Sequence, residues 1–366
     1  MSDFLVVGGG VIGLMLTREL ALAGASVTLL ERGTCAKEAS WAGGGIVSPL
    51  YPWRYSSAVT QLATWSQSSY VHLAATLTEE TGIDPELRQK GMYMVDVEDR
   101  DAALSWAAAY HRPLVAVEAS HLYHHEPEFA SGYESALWMP EVSSIRNPRL
   151  GQALRRSVMD LKQVTLQENT GVERFVVEGE TVLGVQTSQG NITAGHTVVA
   201  SGSWTGHLLG GLSISLPVEP VKGQMMVFKA EPNIVNRVIL MAGRYVIPRS
   251  DGRILVGSTL EHEGFNKQIT ESARESLYQT AVGIIPRLAD FSVEHHWAGL
   301  RPGSPEGIPF IGEVPGYQGI SVNAGQFRNG LVLAPASTRL HADLLLGQTP
   351  VIDPRPYQLA GRLGSL

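Results

Sequence analysis

A partner for Cys35 is the first thing this chain lacks: it is the only cysteine among 366 residues. No internal disulfide can form, and a metal centre built on thiolates has too few ligands. A lone thiol also suits a reducing compartment. Basic runs are missing too. Lysine and arginine number 28 against 35 acidic residues, giving a formal charge of −7, so a nucleic-acid surface is not expected. No stretch stays apolar over the roughly 18 residues that a spanning helix needs. The apolar start, MSDFLVVGGGVIGLML, carries Asp3 where a secretion signal is basic, and glycines interrupt it. It ends at Thr17, Arg18 and Glu19 with no small-residue cleavage site. It reads as the opening of a fold, and the protein is expected to be soluble and cytoplasmic, with no membrane segment. Repeats and low-complexity tracts are absent. No Ser-His-Asp set and no metal-ligand cluster stands out, so no metal is expected.

What is present is enough apolar sequence, 44% of residues, for a sizeable core, and a length that suits two domains. Hydrophobic periodicity predicts strand, helix, strand over 4–7, 11–23 and 27–30. Helices are predicted over 56–81, 99–110, 149–160, 270–285 and 329–346, with strands at 92–97, 164–167, 181–187, 197–200, 291–299 and 320–323. Residues 216–228 and 244–258 alternate as antiparallel strands, with Ser250-Asp251-Gly252 as a hairpin turn. The expected class is α/β. A Rossmann-like dinucleotide-binding domain takes 1–85, 145–215 and 295–366. An interleaved α+β substrate domain on a mainly antiparallel sheet takes 86–144 and 216–294.

GGGVIG at 8–13 sets Gly8, Gly10 and Gly13 in the G-x-G-x-x-G spacing, after a strand and at the start of a helix. The first glycine permits the tight turn, the second lets backbone approach a pyrophosphate, and the third allows close helix–strand packing. Glu31 ends the next strand, where an acid can accept hydrogen bonds from an adenosine ribose and would repel a 2′-phosphate. The spacing leaves NAD and FAD open. AGGGI at 42–46 and NAGQFRNGL at 323–331 favour a flavin, since a helix start at the latter can support an electron-rich ring oxygen. Two ordinary turns are the plainer reading of those segments.

WAGLRPGSPEGIPFIG, residues 297–312, places one cation, Arg301, among apolar residues, glycines and prolines. Either it pairs with a carboxylate such as Glu294 or Glu306, or it meets the anion of a ligand. His124-His125 and His295-His296 read as adjacent strand residues on opposite faces, hence as structural or exposed groups rather than acid–base pairs.

VVGGGVIG, LLERG, AGGGI, VVASGSW, PVKGQ, RYVIPR, ILVGST, WAGLRPG and GQFRNGLVLAPA span almost the whole chain. Together they resemble the D-amino-acid-oxidase-like flavoproteins, and within them the glycine oxidases of the thiamine pathway. The tail after Pro354 matches nothing in that pattern. The resemblance implies non-covalent FAD, bound through Gly8, Gly10, Val11, Ile12 and Gly13, through Glu31 and Arg32, and through Ala39 and Ser40. Gly44, Gly45 and Ile46, the backbone of Val172, and Gln326, Phe327, Arg328, Asn329, Gly330, Leu331 and Val332 complete the implied contacts. It implies that Arg301 grips the substrate carboxylate, that Tyr245 adds a hydroxyl, and that Arg328 lies near flavin and substrate. Tyr245 as a strand-packing residue and Arg328 as a helix-start residue are the alternatives. Ile46 and Leu260 would shape the substrate pocket. Leu260 departs from the usual methionine, and Trp41 from a small polar residue. No cysteine follows Cys35, which excludes the thioether-linked flavin of some relatives.

The implied reaction is oxidative deamination of glycine, sarcosine and small D-amino acids by hydride transfer to the flavin. It gives an oxo acid such as glyoxylate, ammonia or an amine, and hydrogen peroxide from molecular oxygen. A homotetramer is implied. The alternatives are a dehydrogenase that passes electrons to a quinone or partner protein, and an oxidase of sarcosine or other N-substituted glycines.

Overall fold

A computed structural model describes residues 1–364; the last two residues of the predicted 295–366 segment lie outside the described residues. The nucleus is a parallel sheet. Strand Ser2–Val7 runs between Val27–Leu30 and Gly190–Val199, with Val164–Gln167 beyond the former and Ile320–Ala324 beyond the latter. The four residues of Val27–Leu30 are all buried, as expected for a parallel strand covered on both faces. Helices Val11–Leu22, Ser57–Thr81, Asn147–Asp160 and Gly330–Leu345 pack together on one face around Leu14, Leu62, Leu154 and Leu340. The antiparallel hairpin Val172–Glu178/Thr181–Thr187 extends the sheet and buries Phe175 and Val185 with Val199 and Val322.

A second sheet of eight strands runs Val293–Gly303, Glu219–Lys229, Arg253–Gly257, Arg244–Pro248, Val238–Met241, Met92–Val95, Ser135–Met139 and Val115–Glu118 in spatial order. Its pairings are antiparallel except Val238–Met241 beside Met92–Val95. The predicted turn at Ser250-Asp251-Gly252 is present, with Gly252 at φ +85°. Helix Glu271–Ile284 is capped by the Thr270 hydroxyl and is followed by Pro286, as its sequence requires.

Three expectations need correction. The strand of Val293–Gly303 pairs along its length with Glu219–Lys229, so the second sheet continues through 303, past the boundary drawn at 295. The strands at 115–118, 135–139, 238–241 and 310–313 carry too few alternating residues to stand out in the sequence. His124 and His125 lie on helix Ala119–His125 rather than a strand. There His125 meets His121 one turn earlier, and the Tyr93 hydroxyl bonds both rings at 2.9 and 3.1 Å.

Candidate active site

A cleft of about 340 Å³ opens at the carboxyl ends of the parallel strands and reaches the face of the second sheet. Its first wall is the glycine loop. Gly8 sits at φ +113°, and a Cβ there would lie 2.5 Å from the Ala200 carbonyl oxygen. Gly13 packs against that turn: its Cβ would fall 1.8 Å from the Gly8 oxygen. Gly13 therefore shapes the loop without lining the cleft, whereas Gly8, Gly10, Val11 and Ile12 line it. Ser40 reaches in from the next segment and accepts the Val11 N–H at 2.9 Å. Glu31 accepts the N–H groups of Gly9 at 2.8 Å and Gly33 at 2.9 Å. Each carboxylate oxygen keeps a second acceptor position, which suits ribose hydroxyls. Arg32, Ala39 and Val172 complete this end.

Gly44, Gly45 and Ile46 form the middle. Gly45 has φ +85°, and a Cβ there would lie 2.0 Å from the Ile145 oxygen. The segment is held from behind by Arg249, a residue the sequence reading missed at the end of RYVIPR. Its buried guanidinium donates to Gly44 O at 2.7 Å and Ile145 O at 3.0 Å. Burial, with Arg146 nearby, pushes its pKa down to about 10, which still leaves it charged. A cation ending an apolar strand was the available signal; only the fold shows which carbonyls it holds.

The far wall is the loop Gln326–Val332, every residue of which lines the cleft. Gln326 Nε2 donates to Asn323 Oδ1 at 2.7 Å, and Asn323 is tied to Ser337 O at 2.9 Å. Asn329 and Asn147 also line this space, and Asn329 Nδ2 and Asn147 Oδ1 are buried without a protein partner. Buried polar atoms rarely stay unpaired, so a ligand with both donors and acceptors is what these two lack. A dinucleotide bearing a flavin fits. Cys35 lies behind the glycine loop, where a Cβ on Gly9 would come 2.4 Å from its sulfur, and it does not line the cleft. Burial raises its thiol pKa far above the ordinary value.

At the end bounded by the second sheet the structure brings together Arg301, Tyr245, Arg328 and Ile46. Arg301 Nη2 donates to the Ser258 hydroxyl at 2.6 Å, and Nη1 to Thr259 O at 3.2 Å and Lys222 O at 3.4 Å. Its guanidinium lies against Gly223, where a Cβ would be 2.2 Å away. Burial lowers its pKa, and Arg328 adds repulsion. Among the described residues neither Arg301 nor Arg328 forms an ion pair. Glu294 is taken by Arg253, at 2.6 and 2.7 Å. Pairing of Arg301 with Glu294 or Glu306 is thus not what the structure contains. The Tyr245 ring is held between Gly44 and Gly257; its hydroxyl lies 3.7 Å from the Met225 sulfur and close enough to the Arg301 guanidinium for the two to interact. Leu260 departs from expectation: its side chain is 46% exposed and outside the cleft. Trp41 packs edge-on to Trp297 at 5.6 Å, which in turn donates to Ala42 O.

Comparison with known proteins gives the family. The DAO family of FAD-dependent oxidoreductases matches residues 3–344. The chain belongs to that family, and FAD is its cofactor. It is 53% identical to a glycine oxidase of Pseudomonas aeruginosa over 358 residues, 98% of each chain. It is 51% identical to a glycine oxidase of Pseudomonas putida over 363 residues, covering 99% of this chain and all of that one. The crystal structure of glycine oxidase from Geobacillus kaustophilus superposes with a TM-score of 0.93 at 28% identity, over 99% of each chain.

Proposed function

We infer that the chain catalyses the FAD-dependent oxidative deamination of glycine and closely related small amino acids. The observation that carries this is Arg301: a partly buried guanidinium with no carboxylate partner among the described residues, opening on a cleft lined by flavin-type loops. It binds the substrate carboxylate and so fixes the α-carbon. Tyr245, set beside the Arg301 guanidinium, donates its hydroxyl to the same carboxylate. Arg328 adds positive charge that draws the anionic end inward. The walls formed by Ile46, Met225 and Leu300 keep the space beside them apolar and small. Bound FAD supplies the two-electron acceptor for the α-hydrogen and its electron pair. The substrate amine is neutral when it reacts, and the imine formed hydrolyses to glyoxylate and ammonia. Sarcosine and small D-amino acids are further substrates in this reading, and molecular oxygen takes up the electrons as hydrogen peroxide. A cytoplasmic homotetramer serving thiamine synthesis is the setting we propose. No described helix is long and apolar enough to cross a membrane, which is compatible with that setting.

The test is anaerobic mixing of the yellow protein with glycine, sarcosine, D-alanine or L-alanine, followed by air. Bleaching by glycine or sarcosine with rapid recovery and peroxide supports an oxidase. Bleaching with slow recovery points to a dehydrogenase with another acceptor, and no bleaching by any of the four rejects the small-amine reading.

A further inference from the structure

Helix Gly330–Leu345 carries Pro335 inside its second turn. A proline there has no N–H for the carbonyl four residues back, and its ring crowds that carbonyl. The carbonyl is that of Leu331, which belongs to the cleft-lining loop Gln326–Val332. A helix leaves its first four N–H groups unpaired, here those of Gly330 to Leu333. Pro335 lies beyond them, so it removes a bond that any other residue would make.

The gap is filled from another helix. Tyr70, on Ser57–Thr81, donates its hydroxyl to Leu331 O. One turn earlier on the same helix, Ser66 Oγ accepts the N–H of Ala336 at 2.9 Å. Two side chains of one helix thus serve backbone groups on both sides of the proline. Both are buried, and burial pushes the Tyr70 phenol far above its usual pKa, so it stays an O–H donor. Packing is the plain role of a buried tyrosine on a helix. Phenylalanine would fill the same space; only the hydroxyl meets the acceptor that the proline has stripped.

We propose that Tyr70 is a positioning residue. Its hydroxyl, in place of the N–H that Pro335 lacks, holds the first turn of helix Gly330–Leu345 where that turn supports the electron-rich ring of bound flavin. The proposal rests on the reading that the loop Gln326–Val332 lies at that ring, and it is independent of which amine is oxidised. A helix start carries partial positive charge whose effect falls off within a turn, so a loosened first turn supports the ring less. Reduced flavin carries negative charge, and the loss is felt in its reduction equilibrium.

The experiment uses FAD-saturated Tyr70→Phe, Pro335→Ala, the two combined, and Arg328→Ala. The two-electron reduction equilibrium of the bound flavin is measured against a reference dye, with Tm alongside. Tyr70→Phe should make reduction about fivefold less favourable, a fall of about 20 mV for a two-electron couple. Pro335→Ala alone should stay near the parent, because Tyr70 still donates. The combined variant should return to within about twofold of the parent, since the alanine N–H replaces the lost donor to Leu331 O. Arg328→Ala removes a cation from the same loop and should shift the equilibrium in the same direction as Tyr70→Phe. An unchanged equilibrium in Tyr70→Phe, whatever its Tm, makes Tyr70 a packing residue and overturns the inference. A shift that Pro335→Ala fails to relieve does the same, and so does an equal shift in Pro335→Ala alone. If Arg328→Ala is silent as well as Tyr70→Phe, the placement of the loop at the flavin ring fails with it.

Discussion

Truncating Arg301 to alanine removes the carboxylate clamp, and the structure sets the size of the effect. A guanidinium carries five N–H groups. Three bonds to Ser258, Thr259 and Lys222 occupy three of them, leaving two for a ligand. Charge-assisted hydrogen bonds contribute about 1.5–3 kcal/mol each. Two at the low end give about 3 kcal/mol, and about 1.4 kcal/mol corresponds to a factor of ten. Arg301→Ala should therefore lower kcat/KM for glycine by at least about a hundredfold, mostly through KM. FAD binding should hold, because the cofactor loops and Arg249 lie on other segments. Arg301→Lys keeps the charge but loses the fork, and should fall between the two. The assay is oxygen uptake against glycine concentration, with flavin content read from the visible spectrum. A kcat/KM within about threefold of the parent in Arg301→Ala, at full flavin content, would refute the reasoning.

Two further outcomes follow from contacts beside and away from the cleft. Gly223→Ala places a methyl 2.2 Å from Arg301 Nη1, so the guanidinium is pushed off its acceptors. Glycine KM should rise severalfold with flavin content unchanged, and an unaltered KM would show that the site relaxes around the methyl. Glu126 is fully buried, and burial pushes its carboxyl up to about 7 from 4.5, against the pull of Asn236 N–H and Arg237. The folded state therefore holds this proton more tightly than the unfolded state. The contribution is present below about pH 4.5 and is lost as pH rises through about 7, on the order of 3 kcal/mol in all. Glu126→Gln should remove that decline, so its Tm gains on the parent between pH 5 and pH 8. Parallel pH curves for the two proteins would sink the assignment.

Local chemistry in the chain determined a good part of this protein. The glycine spacing at 8–13, Glu31 at the end of a strand and the apolar periods on either side specify a strand–turn–helix–strand unit from neighbours in sequence alone. Its strands at 27–30, 164–167 and 181–187 lie where alternation and β-branched residues put them. Arg301 was conspicuous as a lone cation among apolar residues, glycines and prolines, with Glu294 and Glu306 as candidate carboxylates near it in sequence.

What filled that vacancy was settled only by tertiary structure. Glu294, seven positions before Arg301, is drawn off by Arg253, whose strand lies on the other edge of Glu219–Lys229. Leu260 carries no mark of its outward direction, since a single residue at the end of a strand can turn either way. Arg249 looks like any charged strand end until the fold lays Gly44 and Ile145 over it. Short-range patterns fix which elements form. Which cation stays unpaired depends on contacts between segments far apart in sequence, and those contacts exist only once the two sheets are packed around the cleft.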